Sequence, residues 1–303
     1  MDRPEFYEID KSKIHLYDKL QLYVKSENKF ILYKSAGQSI SNRNIDTVVL
    51  YINSEDKINF LNNLHRKFNN NLRSYIQHFE TEKIKKELYD IMDDALEIHS
   101  HENIMGLKQT VDIFVEELSA NIEYIEALIN FSNKDYSTTI HSINCMAFML
   151  EFCYKSGINL AKTGELALGA MLHDIGKIYI PDEILKKRTV LSESEFAVMR
   201  THVKEGYEVL EKLNINRLVK QCCHEHHERL DGSGYPAGIR KISPEGQLMG
   251  IIDCYEALVS HSRVYKRGLT PLEASEIIKS DVQKGKWNKT MFEMFIRTRL
   301  RKE

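Results

Sequence analysis

From Thr81 onward, apolar residues recur at intervals of three and four, and this spacing restricts the fold of most of the chain. A first helix is predicted where Ile84, Leu88, Ile91, Ala95 and Ile98 share one face. A second carries Leu107, Val111, Phe114, Leu118, Ile122, Ile125 and Ile129 at the same spacing. Helical spacing or helix-start signals also mark residues 140–152, 160–172, 192–213, 216–227, 247–260 and 271–284. The sequence therefore predicts a mainly α protein with an all-α C-terminal bundle.

The N-terminal part follows a different pattern. The β-prone runs Leu20–Val24, Phe30–Tyr33 and Thr47–Ile52 predict strands, the first two joined as a hairpin. Ser54 is the predicted N-cap of the helix that follows. These signals predict a small α+β regulatory domain at residues 1–80, a long helical connector at 81–131 and a catalytic domain at 132–303. The second boundary lies where polar residues 132–134 interrupt the apolar period.

Composition and charge exclude several classes of protein. The formal net charge of −2 is unfavourable for a protein that binds a nucleic-acid polymer through a broad basic face. No apolar run is long enough to span a bilayer, and the first residues lack the apolar core of a secretory signal. The five cysteines include an adjacent pair and no Cys-x-x-Cys, which is typical of reduced, packed thiols. We therefore expect a cytoplasmic protein.

Seven side chains scattered over the predicted bundle are of types that bind transition metals. They are His141, His173, Asp174, His202, His226, His227 and Asp253. Neutral imidazole nitrogens and carboxylate oxygens are ligands for iron, manganese and zinc. Buried singly, each would need a polar partner, and a metal ion supplies one. Asp174 is the natural bridging group, because each of its carboxylate oxygens can bind a different ion.

Two sequence blocks carry a family resemblance. The first is His173-Asp174-Ile175-Gly176-Lys177, and the second is His226-His227-Glu228-Arg229-Leu230-Asp231-Gly232-Ser233-Gly234-Tyr235-Pro236. Together they resemble the HD-GYP family of bacterial metal-dependent phosphodiesterases, from about residue 131 to residue 303. The resemblance implies an HD-type helical bundle and makes the seven side chains above the metal ligands. It also implies cyclic di-GMP as the substrate, opened to pGpG; hydrolysis either stops there or continues to GMP.

The same resemblance implies a metal-assisted mechanism, in which two divalent ions hold a bridging hydroxide that attacks phosphorus. Some family members carry a glutamate one helical turn before the first histidine ligand, where it helps to hold a third ion. This chain has Ser137 there, a poor ligand, so we expect two ions. The ligand mixture favours iron or manganese, with zinc as the alternative.

Cationic and aromatic residues near these blocks are candidates for substrate contact. Lys177 lies one turn beyond Asp174, where an ammonium can stabilise developing phosphate charge, so we assign it a catalytic role beside Asp174. Arg263 and Lys266 resemble the family's Arg-Pro-Tyr-Arg/Lys segment, although Val264 replaces its proline and one residue is inserted upstream. Tyr235 either contacts the substrate or braces its loop by packing.

Two other functions fit the same residues. One is a phosphohydrolase of the same superfamily that acts on another phosphoester. The other is a sensor that binds a cyclic dinucleotide without turnover. For partners, the long amphipathic helices favour a homodimer, with an intramolecular core stripe as the alternative, and the Gly234-Tyr235-Pro236 loop is a candidate contact for a protein partner.

Overall fold

The computed structural model describes residues 5–9, 14, 16–38, 48–97, 100–118, 128, 137–260 and 268–300. The chain divides into two compact units, Met1–Arg66 and Lys67–Glu303. The first contains a small antiparallel sheet and the second is helical, which confirms the predicted mainly α fold with a small α+β N-terminal region. The predicted domain limits at residues 80 and 131 stay predictions.

The first unit is built on four short strands. They are β1 (Phe6–Glu8), β2 (Leu22–Ser26), β3 (Lys29–Lys34) and β4 (Leu50–Asn53), in the order β1-β4-β2-β3. The predicted hairpin is present, and its turn places Glu27 at a φ of 52°. β1 was missed by the sequence analysis because three residues are too short to show a period. The part of the third predicted strand before residue 48 lies outside the described residues.

Helix α1 (Ser54–Gln77) begins one residue before the predicted position. The Asp56 backbone N–H donates to Asn53 Oδ1 at 2.8 Å, so Asn53 is the N-cap and the prediction of Ser54 for this role was wrong. The core of the first unit consists of Ile9, Tyr17, Leu22, Leu50 and Ile52.

The second unit contains the following helices after α1: α2 (Thr81–Glu97), α3 (His101–Leu118), α4 (Thr138–Lys155), α5 (Leu160–Leu172), α6 (Asp182–Leu185), α7 (Glu193–Lys212), α8 (Arg217–Glu225), α9 (Pro244–Val259), α10 (Pro271–Gln283) and α11 (Lys289–Leu300). A short 3-10 helix, Ile175–Tyr179, separates α5 from α6. The second predicted helix extended to Ile129, but residues 119–127 and 129 lie outside the described residues. None of the helices that the structure describes has the length and apolarity to cross a membrane.

Helix α4 is the centre of this unit, because every residue from Thr139 to Cys153 is buried. Its apolar side chains pack with those of α5, α9, α10 and α11 in one core that includes Phe148, Tyr255 and Phe295. His141 and a few other polar side chains of α4, including Asn144 and Glu151, are buried with these apolar residues. A buried histidine needs a polar partner, so His141 is the place on α4 at which to look for a functional site.

Candidate metal centre

The structure brings all seven predicted ligands into one pocket of the helical unit. Asp174, His202, His226 and His227 each present one potential ligand atom within 4.8 Å of the others. His141, Cys145 and His173 form a second group of the same kind. Asp253 lies beside this second group, and its Oδ1 is 3.1 Å from His141 Nε2.

Asp174 lies between the two groups and its oxygens face in different directions. Its Oδ1 lies 3.3 Å from His202 Nε2 and 3.8 Å from His226 Nε2. Its Oδ2 lies 3.3 Å from His173 Nε2 and 3.6 Å from His141 Nε2. This is the arrangement that a carboxylate bridging two ions requires.

Asp253 connects the same two sides at the other edge of the pocket. Its Oδ2 lies 3.8 Å from His227 Nδ1, while its Oδ1 approaches His141. Asp174 and Asp253 together place two carboxylates among five imidazoles. This mixture of nitrogen and oxygen donors suits iron, manganese or zinc.

Backbone carbonyls fix the orientation of three of the imidazoles. The Nδ1 atoms of His173, His202 and His226 lie 2.8, 2.7 and 2.7 Å from the carbonyl oxygens of Ala170, Met199 and Cys223, respectively. A carbonyl only accepts, so each Nδ1 carries the proton and donates it. Each Nε2 therefore presents its lone pair to the pocket, which is the tautomer that a metal ligand needs.

Burial keeps three of the pocket imidazoles, those of His202, His226 and His227, neutral. Loss of solvation lowers the pKa of His202, and together with the neighbouring imidazoles it lowers the pKa of His226 well below the usual range. Burial likewise lowers the pKa of His227 to about 3. Burial alone would raise the pKa of Asp174, but the charge of Lys177 and the neighbouring histidines hold that pKa well below its usual value. Burial would likewise raise the pKa of Asp253, but the neighbouring histidines together hold that pKa well below its usual value.

Several atoms in the pocket lack a partner that a cation would provide. Among the described residues, Asp174 Oδ1, His202 Nε2 and His226 Nε2 are buried without a hydrogen-bond partner. His141 Nε2 and His173 Nε2 lie 3.2 Å apart, although the proton of His173 is already placed on Nδ1. Facing lone pairs and orphaned acceptors are costly in a buried site. The residues present therefore fit a bound metal.

Close backbone packing positions the first half of the ligand set. An added Cβ at Gly176 would lie 2.0 Å from the carbonyl oxygen of His202, so only glycine fits there. This contact lets the 3-10 helix lie directly on α7, and it brings Asp174 next to His202. The glycine of the first sequence block is thus required by the geometry of the site.

The second sequence block forms a loop held by a buried carboxylate. Glu228 accepts hydrogen bonds from the backbone N–H groups of Ala237, at 2.8 Å, and Ile239, at 3.1 Å. A Cβ at Gly234 would lie 2.5 Å from the His227 carbonyl oxygen, so the loop passes directly over the histidine pair. The ring of Tyr235 stacks on that of His227, with centroids 4.5 Å apart and planes 28° apart.

Tyr235 also contacts two side chains of α7. Its ring meets Phe196 edge-on at 5.9 Å, and the Arg200 guanidinium lies 5.2 Å from the ring centre. Burial raises the pKa of Tyr235 above its ordinary value, so the phenol keeps its proton. The packing role of Tyr235 is visible in these contacts, and its contact with substrate stays a prediction.

The other residues named in the sequence analysis have three different outcomes. Lys177 is in the pocket, with Nζ 2.5 Å from Asp174 Oδ2. Arg263 and Lys266 lie outside the described residues. Ser137, at the position of the third-metal glutamate, is the N-cap of α4 and accepts from the Ile140 backbone N–H at 3.2 Å.

Glu256 and Cys145 are parts of the site that the sequence analysis did not assign. Glu256 Oε2 lies 2.5 Å from His141 Nδ1, and Cys145 Sγ lies 3.8 Å from His141 Nε2. Burial raises the pKa of the Cys145 thiol to about 12. Glu256 follows Asp253 by one helical turn, a spacing that places both on one face of α9 and could have marked it.

Comparisons with known proteins identify the family of the helical unit. The family described as the HD domain matches residues 123–290. A cyclic di-GMP phosphodiesterase of Pseudomonas aeruginosa is 34% identical over 167 residues, which cover 53% of this chain and 40% of that protein. A cyclic di-GMP phosphodiesterase of Thermotoga maritima is 35% identical over 171 residues, which cover 55% and 46% of the two chains. The chain thus spans less than half the length of these relatives.

One solved structure resembles almost the whole chain. It is an HDG"Y"P protein from Bdellovibrio bacteriovorus, with a TM-score of 0.64 and 20% sequence identity. The match covers 96% of this chain and 98% of that one. At this identity the likeness is evidence about the fold.

Proposed function

Because this chain belongs to the HD domain family and carries both sequence blocks of its HD-GYP branch, we propose that it is a metal-dependent phosphodiesterase that opens cyclic di-GMP to pGpG. The observation that carries the proposal is the placement of Asp174, whose two oxygens face two separate sets of histidines. Such a carboxylate suits a two-metal hydrolase.

The cofactors in this proposal are two divalent ions, iron or manganese, with zinc as the alternative. His202, His226, His227 and Asp174 would hold one ion. His141, His173, Asp253 and Asp174 would hold the other. The number two is supported by Ser137, whose hydroxyl is engaged as a helix cap rather than directed at the pocket.

Ions bound in this pocket would supply Lewis acidity, which activates water and polarises a phosphoryl oxygen. The chain's own contribution is orientation and charge. The carbonyl-anchored imidazoles hold their lone pairs in fixed directions, so little reorganisation is needed when charge develops. Lys177 brings an ammonium to the edge of the pocket, where it stabilises the charge that builds on the phosphate oxygens.

The finer assignments of substrate and partners belong to the same proposal. Tyr235, Arg263 and Lys266 are candidates for substrate contact, and hydrolysis either stops at pGpG or continues to GMP. A homodimer formed by the long helices and a protein partner at the Gly234-Tyr235-Pro236 loop stay predictions. So does the cytoplasmic location.

The test is an assay of purified, manganese- or iron-loaded protein with cyclic di-GMP. Metal content is measured by mass spectrometry, and nucleotides are separated by chromatography. We expect two ions per chain and the appearance of pGpG. The matched control is the variant with His173→Ala and Asp174→Ala, which should remain helical and lose both metal and turnover.

The rival functions give different outcomes in the same assay. Binding of cyclic di-GMP without product would indicate the sensor. A 3'3'-cGAMP-specific phosphodiesterase of Vibrio cholerae is 28% identical over 205 residues, covering 66% of this chain and 47% of that protein, so 3'3'-cGAMP is the comparison substrate. Faster hydrolysis of 3'3'-cGAMP would contradict the cyclic di-GMP assignment, and product formation by the control variant would contradict the site.

A further inference from the structure

The imidazole of His141 is anchored differently from three other imidazoles of the pocket. His173, His202 and His226 each direct Nδ1 at a backbone carbonyl. His141 instead directs Nδ1 at the carboxylate of Glu256, at 2.5 Å. Glu256 is 1% exposed, so this contact lies in the interior, where little solvent screens its charge.

Both oxygens of Glu256 serve the same end of the pocket. Oε2 accepts from His141, and Oε1 accepts from Asn144 Nδ2 at 2.8 Å. His141 and Asn144 lie one turn apart on α4, so a single helix face holds the carboxylate in place. Two donors directed at two oxygens suit the ionised form of a carboxyl group.

Helix α9 therefore places two carboxylates on one imidazole. Asp253 Oδ1 lies 3.1 Å from His141 Nε2, and Glu256, one turn later, contacts Nδ1 on the opposite side of the ring. The half of the pocket formed by His202, His226 and His227 has no such arrangement among the described residues, since two of those rings are anchored by neutral carbonyls.

We propose that Glu256 is a positioning residue that acts through His141 on one ion of the pair. It fixes the tautomer and orientation of the His141 ring and makes the Nε2 lone pair, which would bind the ion, more basic. It also adds negative charge to this side of the pocket. The ion held by His141 is consequently bound more tightly than it would be with a carbonyl anchor. The inference rests on the proposed metal centre, but it does not depend on which phosphoester is hydrolysed.

A purely structural role for Glu256 is the alternative, because it also joins α4 to α9. The chain offers a matched control for that role. Glu151 is equally buried on α4 and pairs with Lys155, at 2.9 Å, and with Arg299. Glu151→Gln removes a buried carboxylate from α4, the helix that carries His141, without touching a proposed ligand.

The experiment titrates the metal-free protein with manganese by calorimetry and measures retained metal after dialysis. Wild type is expected to bind two ions. Glu256→Gln is expected to weaken one of them by about 10- to 100-fold and to leave the other unchanged. Glu151→Gln is expected to bind both ions as wild type does, even where its melting temperature falls.

Two results would overturn the inference. One is a Glu256→Gln protein that binds both ions with wild-type affinity, and the other is an equal loss of both ions. If Glu256→Gln does not fold, Asn144→Ser removes one donor to Glu256 and keeps its charge. A smaller loss at one ion is then expected, and unchanged binding of both ions counts against the proposal.

The same data separate this inference from the proposed function. If wild type binds two ions but leaves cyclic di-GMP intact, the enzyme assignment is refuted. The manganese titration of Glu256→Gln then still decides the role of Glu256. Wild type that binds no ion refutes both. In the zinc-loaded protein, nitrogen-15 spectra report the tautomer of His141, and its Nδ1–H signal should be lost or shifted in Glu256→Gln, which a distant structural effect would not produce.

Discussion

Two buried carboxylates in the helical unit have opposite surroundings. Glu151 and Asp174 are each 1% exposed. Glu151 is neutralised by the chain itself, through Lys155 at 2.9 Å and Arg299. Asp174 has one cation, Lys177, at Oδ2, and its Oδ1 faces neutral imidazoles with no hydrogen-bond partner among the described residues.

This difference in partners distinguishes a structural ion pair from a carboxylate that fits a metal site. A buried charge that is fully paired costs little more than the apolar alternative, whereas an unpaired acceptor is expensive to keep. The chain holds Asp174 in that costly state among imidazoles whose lone pairs also point inward. A bound metal ion would pair the Asp174 oxygen that has no partner, whereas the charge of Glu151 is already paired by Lys155 and Arg299.

The largest effect that this contrast predicts is the loss of activity in Asp174→Asn. The amide cannot bridge two ions, so the protein should lose several kcal/mol of transition-state stabilisation, or turnover by about 10³-fold or more. Metal content should fall below two ions per chain. Mass spectrometry of the metal and product chromatography check both. A fully loaded, active Asp174→Asn protein would contradict the bridging role.

Glu151→Gln should do the reverse. Removing one partner of a buried ion pair leaves the cations uncompensated, and the free energy of unfolding should fall by about 3–5 kcal/mol. Both ions should remain. Denaturant titration followed by circular dichroism measures the loss, and metal analysis provides the comparison. Reduced metal binding at unchanged stability would mean that the two carboxylates do not differ as described.

Acidification of the metal-free protein should destabilise it through the pocket histidines. The pKa of His227 is about 3 and that of His226 is well below the usual range, so both stay neutral in the folded chain as pH falls below about 6.5. The unfolded chain takes up these protons, and stability is lost from about pH 6.5 downward by roughly 1.4 kcal/mol per pH unit for each histidine. Stability should be retained above that range.

Denaturant midpoints of chelator-treated protein at pH 7.5 and 5.5 measure this slope. The variant with His226→Asn and His227→Asn is the control, because it lacks both groups. Its stability should vary less with pH than that of wild type. Equal slopes in the two proteins would show that other groups dominate acid sensitivity.

The smallest effect concerns the two lysines. Lys177→Ala should lower turnover by about 10²-fold with both ions retained, because it removes charge stabilisation at the phosphate. Lys155→Ala should leave turnover unchanged, because Lys155 pairs with Glu151. Steady-state kinetics with metal analysis compares them. Equal losses in the two variants would remove the distinction between the two carboxylates.

Local signals in the sequence were sufficient for most of the helices. α5 coincides with its prediction at Leu160–Leu172, because Asn159 caps one end and the chain turns at His173. α7 follows Ser192, whose capping box with Glu195 is a short-range signal. α11 was not predicted, although Asn288 caps its start by accepting from the Met291 backbone N–H at 3.0 Å; its Phe292 and Phe295 pack in the core.

Long-range contacts explain what the sequence could not predict at the site. The seven ligand candidates were recognisable from their residue types and from the family resemblance, and the structure places them close together. Glu256 was missed because its role depends on α9 facing His141 on α4. The role of Glu228 in holding its loop was also missed. It depends on a turn that brings the backbone N–H groups of Ala237 and Ile239 to the Glu228 carboxylate.

The contact between Gly176 and the His202 carbonyl has a consequence for how this unit tolerates change. Because main-chain atoms define the separation of two ligand-bearing segments there, repacking of side chains elsewhere leaves that separation intact. Heat tolerance and ion preference can then vary independently of each other. We expect substitutions in the apolar interior to alter the melting temperature long before they alter which ion is held.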